Sequence, residues 1–331
     1  MKKRFAITGA SGLLGANLAI TLLQQGHTVI ATRRGKSRID HLSAYPIQWI
    51  DAALDQPDAL QSAFSGCDGV FHCAAAVSVQ FKIEPWIYAA NVEGTRNVLQ
   101  AAQAAEVPRL IHCSTTSALG LSTDGLPSDE TVPFNFAAYG LDDAYVQTKR
   151  QAQDLVLQAA SDGMDALIVN PAFMIGPYDA KPSSGSLVRS LLLGKVPAYT
   201  LGTNNFVDVR DVARGMLQAY ERGKAGEMYI LSGENMTYKD FMDRVSQVTG
   251  CPKVRFRVPA WTARIAGWCG DQWSTLTSRE TELNSATIRW SLNDRYLFRC
   301  DKAIRDLHYT ISPLDSAIAD CAAWFREHRM L

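Results

Sequence analysis

The stretch "RFAITGASGLLGANLAITLL" (residues 4–23) changes character once, at a glycine. Before Gly9 a short apolar run reads as a buried strand. After Gly12 leucine and alanine continue for the length of a helix, so the whole reads as strand, turn and helix. Gly9-x-x-Gly12-x-x-Gly15 at that junction supplies a tight turn, close backbone approach and tight packing of helix on sheet. Free N–H groups and the positive dipole end of such a helix suit a diphosphate. Ser11, Gly12, Leu13 and Leu14 therefore join Gly9 as candidate cofactor contacts. The basic residues at 2–4 could also open a secretory leader, but Gly9, Gly12, Gly15 and Asn17 interrupt the apolar region, and no leader is expected.

The same alternation recurs. "TVIAT" (28–32), "IQWID" (47–51), "GVFHCA" (69–74), "RLIHCS" (109–114) and "ALIVN" (166–170) are separated by segments whose apolar residues repeat at three and four. Strands alternating with helices predict βαβ units, and right-handed crossovers make these an α/β, doubly wound parallel sheet of the Rossmann type. After Pro171 the pattern loosens into a Pro/Gly/Ser-rich loop (176–186) and a short helix near 186–193. A strand and amphipathic helix return at 204–223, and another strand at 227–233. The expected division is a dinucleotide-binding domain at 1–175, with the chain returning at about 204–232. A smaller C-terminal lobe at 176–203 and 233–331 would bind substrate. Trp261, Trp268 and Trp273 would either line an apolar pocket or pack that lobe.

Composition narrows the function. With 33 basic and 33 acidic residues the net charge is zero, and no run of five like charges occurs, so neither nucleic acid nor a membrane is an expected partner. The 7 scattered cysteines form no CxxC pair, which points to a reducing cytoplasm and away from a disulfide framework or zinc site. "HC" occurs at 72–73 and 112–113, but period-two alternation sends His and Cys of each pair to opposite sheet faces, so no metal is expected. There is no GxSxG elbow for a hydrolase.

The second strand ends in "ATRRGKSR" (31–38). An acidic residue there would bond the adenosine ribose of NAD. Arg33, Arg34 and Arg38 instead suit a 2′-phosphate, so NADP(H) is expected over NAD(H).

"AAYGLDDAYVQTK" (137–149) places Tyr145 and Lys149 four apart, one turn apart on one helical face. An ammonium beside a phenol favours the phenolate and fits it for proton exchange. Tyr139 has Asp143 at the same spacing, which works the other way. "HCSTTSALG" (112–120) adds consecutive hydroxyls where a strand leaves the carboxyl edge of the sheet.

Taken in order, "TGASGLLG" (8–15), "HCAA" (72–75), that hydroxyl cluster, Tyr145-x-x-x-Lys149, "NPAFMIGP" (170–177) and "FVDVRDVARGM" (206–216) resemble the extended short-chain dehydrogenase/reductases, the NAD-dependent epimerase/dehydratase superfamily. The nearest resemblance is to the dihydroflavonol reductase-like branch, which includes 3β-hydroxysteroid dehydrogenases and bacterial hopanoid-associated sugar epimerases. "ATRRGKSRIDHL" (31–42) is similar to the NADP-binding strand end of the plant reductases, implying Arg34 and Arg38 on the 2′-phosphate.

The resemblance implies that Tyr145 donates the proton, and that Lys149 orients the nicotinamide ribose and lowers the tyrosine's pKa. Thr115 stands where the family has a catalytic serine, with Ser114 as the fallback hydroxyl. It further implies cofactor contacts from Ala74, Ala75 and Ala76, and from Pro171, Ala172, Phe173 and Met174 near the carboxamide. Asn91 and Thr95 are expected to be structural with some cofactor contact, and the helices at 84–104 and 141–161 to form a homodimer. One departure concerns adenine: the Asp-Leu pair usual after the third strand is Ala53-Leu54 here, with Asp51 or Asp55 as substitutes.

The leading expectation is an NADPH-dependent oxidoreductase that interconverts a small-molecule ketone or aldehyde and its alcohol. The alternative is a nucleotide-sugar epimerase or dehydratase, against which Arg33, Arg34 and the lack of a basic cluster in "PYDAKPSSGS" (177–186) both count. A non-catalytic NADP sensor would have no use for Tyr145 and Lys149.

Overall fold

Seven strands form the central sheet: Arg4–Thr8 (β1), Thr28–Arg33 (β2), Gln48–Asp51 (β3), Gly69–His72 (β4), Leu110–Cys113 (β5), Ala166–Pro171 (β6) and, as shown below, a late strand from the second half of the chain. The computed structural model describes residues 1–35, 37–78, 83–277 and 284–331. Further strands are Phe173–Ile175 (β7), Ala198–Tyr199 (β8), Thr203–Asp208 (β9), Met228–Leu231 (β10), Glu234–Thr237 (β11) and Phe256–Arg257 (β12). The helices are Leu13–Gln24 (α1), Pro57–Phe64 (α2), Pro85–Tyr88 (α3), Gly94–Ala104 (α4), Ala144–Ser161 (α5) and Ser186–Leu192 (α6). Val209–Arg222 (α7), Tyr238–Thr249 (α8), Ala260–Thr277 (α9), Ser285–Leu292 (α10), Asp301–Leu307 (α11) and Leu314–Glu327 (α12) complete them.

The central sheet is parallel throughout, in the order β10-β6-β5-β4-β1-β2-β3. Every residue of β4, β5 and β6 is buried, as a sheet covered on both faces requires, which is why these strands read as continuous apolar runs. Helices α1 and α7 pack together on one face; α2, α4 and α5 cover the other. Gly69 lets α7 approach closely, since a Cβ there would meet the Tyr220 ring at 2.6 Å. The strand order reverses beside β1, which has β2 on one side and β4 on the other. In open α/β sheets the crevice beyond such a switch point receives the ligand.

The late strand differs from expectation. β10 does join the central sheet, beside β6, but β9 pairs in parallel with β7 and antiparallel with β11 in a separate three-stranded sheet. β7 also lies within 1–175, so the second sheet begins inside the span assigned to the first domain. Its mostly aliphatic core holds a stacked pair, Phe206 on Phe241 with centroids 4.0 Å apart, beneath α6, α8 and α12. Trp261, Trp268 and Trp273 lie outside it. They are 65%, 59% and 59% exposed and pack no lobe interior. Among the described residues no helix is long and apolar enough to cross a membrane.

Candidate active site

β5 runs directly into four hydroxyl residues. Ser114 extends the strand ladder, its N–H donating to the Val169 carbonyl at 2.8 Å, and the chain then leaves the sheet in a 3-10 turn at Thr116–Ala118. Thr115 caps that turn, its Oγ1 accepting from the Ser117 N–H at 3.2 Å. From beneath, Asn170 Nδ2 donates to the Thr115 carbonyl at 2.9 Å and to Gln153 Oε1 at 2.8 Å, both side chains fully buried. The backbone of Thr115 is thereby fixed from β6 and α5 together.

α5 starts one residue before Tyr145, because Asp143 caps it: Oδ1 accepts the Val146 N–H at 2.9 Å. Tyr139 belongs to a separate 3-10 turn, Phe136–Tyr139, so the expected helical pairing of Tyr139 with Asp143 does not form. Tyr145 and Lys149 do share a face of α5, directed at the carboxyl end of β5. Lys149 is 2% exposed and donates from Nζ to the Cys113 carbonyl at 2.7 Å. The Thr115 side chain neighbours the Tyr145 phenol and draws its pKa down against burial. Ser114 Oγ is buried with no partner among the described residues, so Thr115 is the hydroxyl that meets the tyrosine.

The electrostatics depart from expectation in one respect. Burial is the largest influence on the Tyr145 phenol and drives its pKa upward, and the Thr115 hydroxyl opposes this only partly. The ammonium is itself desolvated, its pKa pulled down by burial and supported by the Cys113 and Cys73 sulfurs. In the protein alone, then, burial outweighs whatever favours the phenolate, and the phenol stays protonated.

Two aromatic side chains from the C-terminal lobe complete the cluster. Tyr296 Oη lies 2.7 Å from Thr116 Oγ1 and 2.8 Å from Ser117 Oγ, and Thr115 Oγ1 donates to Ser117 Oγ at 3.4 Å. Hydroxyls thus run from Tyr145 through Thr115 and Ser117 to Tyr296. Trp290 Nε1 donates to Asp143 Oδ2 at 2.8 Å, tying α10 to the cap of α5. Neither residue belongs to a spacing motif; Trp290 is one of the tryptophans scattered irregularly over the last 80 or so residues.

At the other end of the crevice, Gly9 has φ +77°, and a Cβ there would strike the Ala74 N at 2.6 Å. Gly12 caps α1 with no side-chain hydrogen bond, is exposed, and a Cβ there would meet only the Gly9 carbonyl oxygen at 3.5 Å. An open helix N-terminus on a glycine turn, together with a buried ammonium carrying N–H groups beyond the one given to Cys113, fits a diphosphate at one end and ribose hydroxyls at the other.

The NAD dependent epimerase/dehydratase family model matches residues 5–232. The chain belongs to this family, within the extended short-chain dehydrogenase/reductases. It is 36% identical over 329 residues to "Putative dihydroflavonol 4-reductase" of Synechocystis sp., covering 98% of this chain and 95% of that protein. It is 31% identical over 310 residues to the 4-hydroxy-2-methyl-3-oxo-4-farnesyl-3,4-dihydroquinoline-1-oxide ketoreductase of Stigmatella aurantiaca, covering 92% and 91%. The crystal structure of gox2253 superposes with TM-score 0.85 at 33% identity over 99% of each chain.

The remaining family positions are distributed unevenly around the crevice. Ala74 N–H donates to Thr8 Oγ1 at 3.2 Å. Both backbone polar groups of Ala76 are taken by Asn91, at 2.7 and 2.9 Å, whereas Ala75 has no such clamp among the described residues. Asn91 sits in the π-turn Ala89–Glu93 between α3 and α4 and also donates to Thr148 Oγ1. Thr95 donates to the Asn91 carbonyl and meets His72, which in turn meets Thr8. His72 is therefore a core hydrogen-bonding residue held neutral, its pKa pushed down to about 3 by burial, and no metal-ligating cluster occurs among the described residues. Pro171 accepts from Thr116 Oγ1 at 3.3 Å, Ala172 is buried, Phe173 packs into the small lobe, and Met174 accepts from Ser184 Oγ at 2.6 Å.

At the end of β2, Arg33 Nε donates to Asp51 Oδ1 of β3 at 2.7 Å, while Arg34 and Arg38 are exposed and in no ion pair with a described residue. Asp51 is thus committed to arginine. Ala53 and Leu54 are held by Gln56 Oε1 and Asn97 Nδ2, and Asp55 faces solvent.

Proposed function

We propose that this protein is an NADPH-dependent reductase of a ketone or aldehyde, using Tyr145, Thr115 and Lys149, with the C-terminal lobe selecting the substrate. The observation that carries the reading is the meeting of these three side chains at the carboxyl end of β5. In the same crevice, the end of β2 presents arginines where NAD-binding members need a carboxylate. A nicotinamide cofactor supplies the hydride that the carbonyl carbon accepts.

The chain's own groups manage the oxygen. Thr115 Oγ1 donates a hydrogen bond to the carbonyl oxygen as negative charge develops there. Tyr145 Oη then transfers its proton to that oxygen. Burial keeps the phenol protonated until the alkoxide forms, and a phenol remains a far stronger acid than the alcohol produced. Lys149 Nζ, anchored to the Cys113 carbonyl, holds ribose hydroxyls with its other N–H groups and supplies a cation near the phenolate left behind. The chain of Thr115, Ser117 and Tyr296 hydroxyls gives the returning proton a route. Oxidation of an alcohol uses the same groups in reverse.

The cofactor half of the reading is tested by fluorescence titration. NADPH should bind at least about tenfold more tightly than NADH, the scale of one charge-assisted pair, and Arg34→Ser with Arg38→Ser should erase that preference. Tighter binding of NADH would reverse the assignment. A screen of NADPH consumption over aromatic, steroid-like, acyl and sugar carbonyls tests the reaction. Epimerised nucleotide sugar without NADPH consumption would select the epimerase reading instead.

A further inference from the structure

Helix α9 touches the rest of the described protein along one narrow side. Its buried residues are Ala263 and Gly267, and a Cβ on Gly267 would come within 3.0 Å of Ile288 and 3.1 Å of Ser285 on α10. Asp271 Oδ1 accepts the Ser285 N–H on the same side. At 3.6 residues per turn, Trp261, Ile265, Trp268 and Leu276 project from the opposite side. They are 65%, 54%, 59% and 83% exposed. Phe256 in β12, just ahead of the helix, is 75% exposed. Single exposed apolar residues are ordinary, but a row of large ones along one helix is a surface that another phase or molecule covers.

The charge beside that row is one-sided. Lys253, Arg255, Arg257 and Arg264 are exposed, and none is in an ion pair with a described residue. Across 253–277 the one acidic residue is Asp271, turned toward α10. The whole chain is neutral, so this is a local excess.

We propose that α9 and the segment before it dock on an anionic lipid bilayer surface. The helix lies in the interface, its tryptophans and leucine enter the headgroup boundary, and the arginines meet lipid phosphates. Indole rings suit that boundary because one part of the ring is apolar and its N–H is wet, and flanking cations complement the negative surface. A second copy of this chain fits less well. A two-fold contact through this face would bring the cations against one another with no facing acids. The absence of a run of like charges in the sequence argued against membranes, but here the cations are dispersed along the chain and gather beside the apolar row only after folding.

Sedimentation of the full-length protein with phosphatidylcholine vesicles, with and without phosphatidylglycerol, tests this. The expected result is binding to the anionic vesicles, weakened by salt and accompanied by a blue shift of tryptophan emission. Arg255→Gln and Arg257→Gln, on the surface and harmless to packing, should each weaken vesicle affinity roughly fivefold. Trp261→Ser with Trp268→Ser should abolish binding, with circular dichroism and thermal unfolding unchanged. Three results would overturn the proposal: no sedimentation with anionic vesicles at low salt, equal binding by parent and variants, or a concentration-dependent dimer that the tryptophan substitutions dissolve.

Discussion

At two places this protein reverses the usual partition of side chains. Beyond β5, a lysine, a threonine, an asparagine and a glutamine are all at least nine-tenths buried, and each is held by a named partner. Along α9, three tryptophans, an isoleucine and a leucine are exposed. Burying polar groups costs free energy unless they are hydrogen-bonded, and exposing apolar ones forgoes about 25 cal/mol per Å2. The difference between the two regions is that the polar residues are anchored by partners within the chain while Ser114 Oγ, Gln153 Nε2 and Asn170 Oδ1 stay buried with none among the described residues, whereas the apolar row needs something outside the chain to cover it.

Substitutions can break the buried half of that comparison in graded steps. Lys149→Met keeps the length and apolar stem but removes the ammonium. It should lower kcat about 10²–10⁴-fold and weaken NADPH binding, while the fold by circular dichroism persists; unchanged kcat would make the lysine structural. Thr115→Ala should lower kcat by about 10²-fold, whereas Thr115→Ser restores most of it, separating the hydroxyl from the methyl group. Equal loss in both variants would mean that packing, not the hydroxyl, is what matters.

The smallest effect concerns pH. Burial raises the Asp143 carboxyl from 3.8 to about 6, against the hydrogen bonds from Val146 and Trp290. A carboxyl raised on folding contributes stability that is complete below pH 3.8 and lost as pH rises through about 6. Asp143→Asn keeps the helix cap but sets its NH2 against the Trp290 N–H, a loss at every pH; superimposed on that constant cost, its stability relative to the parent should rise between pH 4 and 7 by up to about 3 kcal/mol in urea unfolding. A difference independent of pH would show that the cap is solvated and the region less dry than described.

Much of the fold was legible because parallel strands buried on both faces leave uninterrupted apolar runs. "ALIVN" and "RLIHCS" mark β6 and β5 to within a residue or two. The glycine turn and Tyr145–Lys149 were legible because each needs particular residue types at fixed spacing. What could not be read lies where long-range packing decides. β9 looked like a return to the main sheet, yet Phe206 is held on Phe241 in the small one. Tyr296 and Trp290 reach the site across more than 140 residues of chain without a motif. The direction of the Tyr145 shift depends on desolvation, which spacing alone does not encode. The tryptophans of α9 were expected to line an apolar pocket or to pack the lobe, and here they are more than half exposed.

The central claim rests on one phenolic oxygen. Tyr145→Phe removes it and leaves the ring, and NADPH consumption should be measured on whichever carbonyl the substrate screen identifies, beside NADPH affinity by fluorescence titration. The account predicts that turnover falls at least about 10²-fold while the affinity for NADPH stays within a few-fold of the parent. A Tyr145→Phe enzyme that still reduces the carbonyl at the parental rate would contradict it.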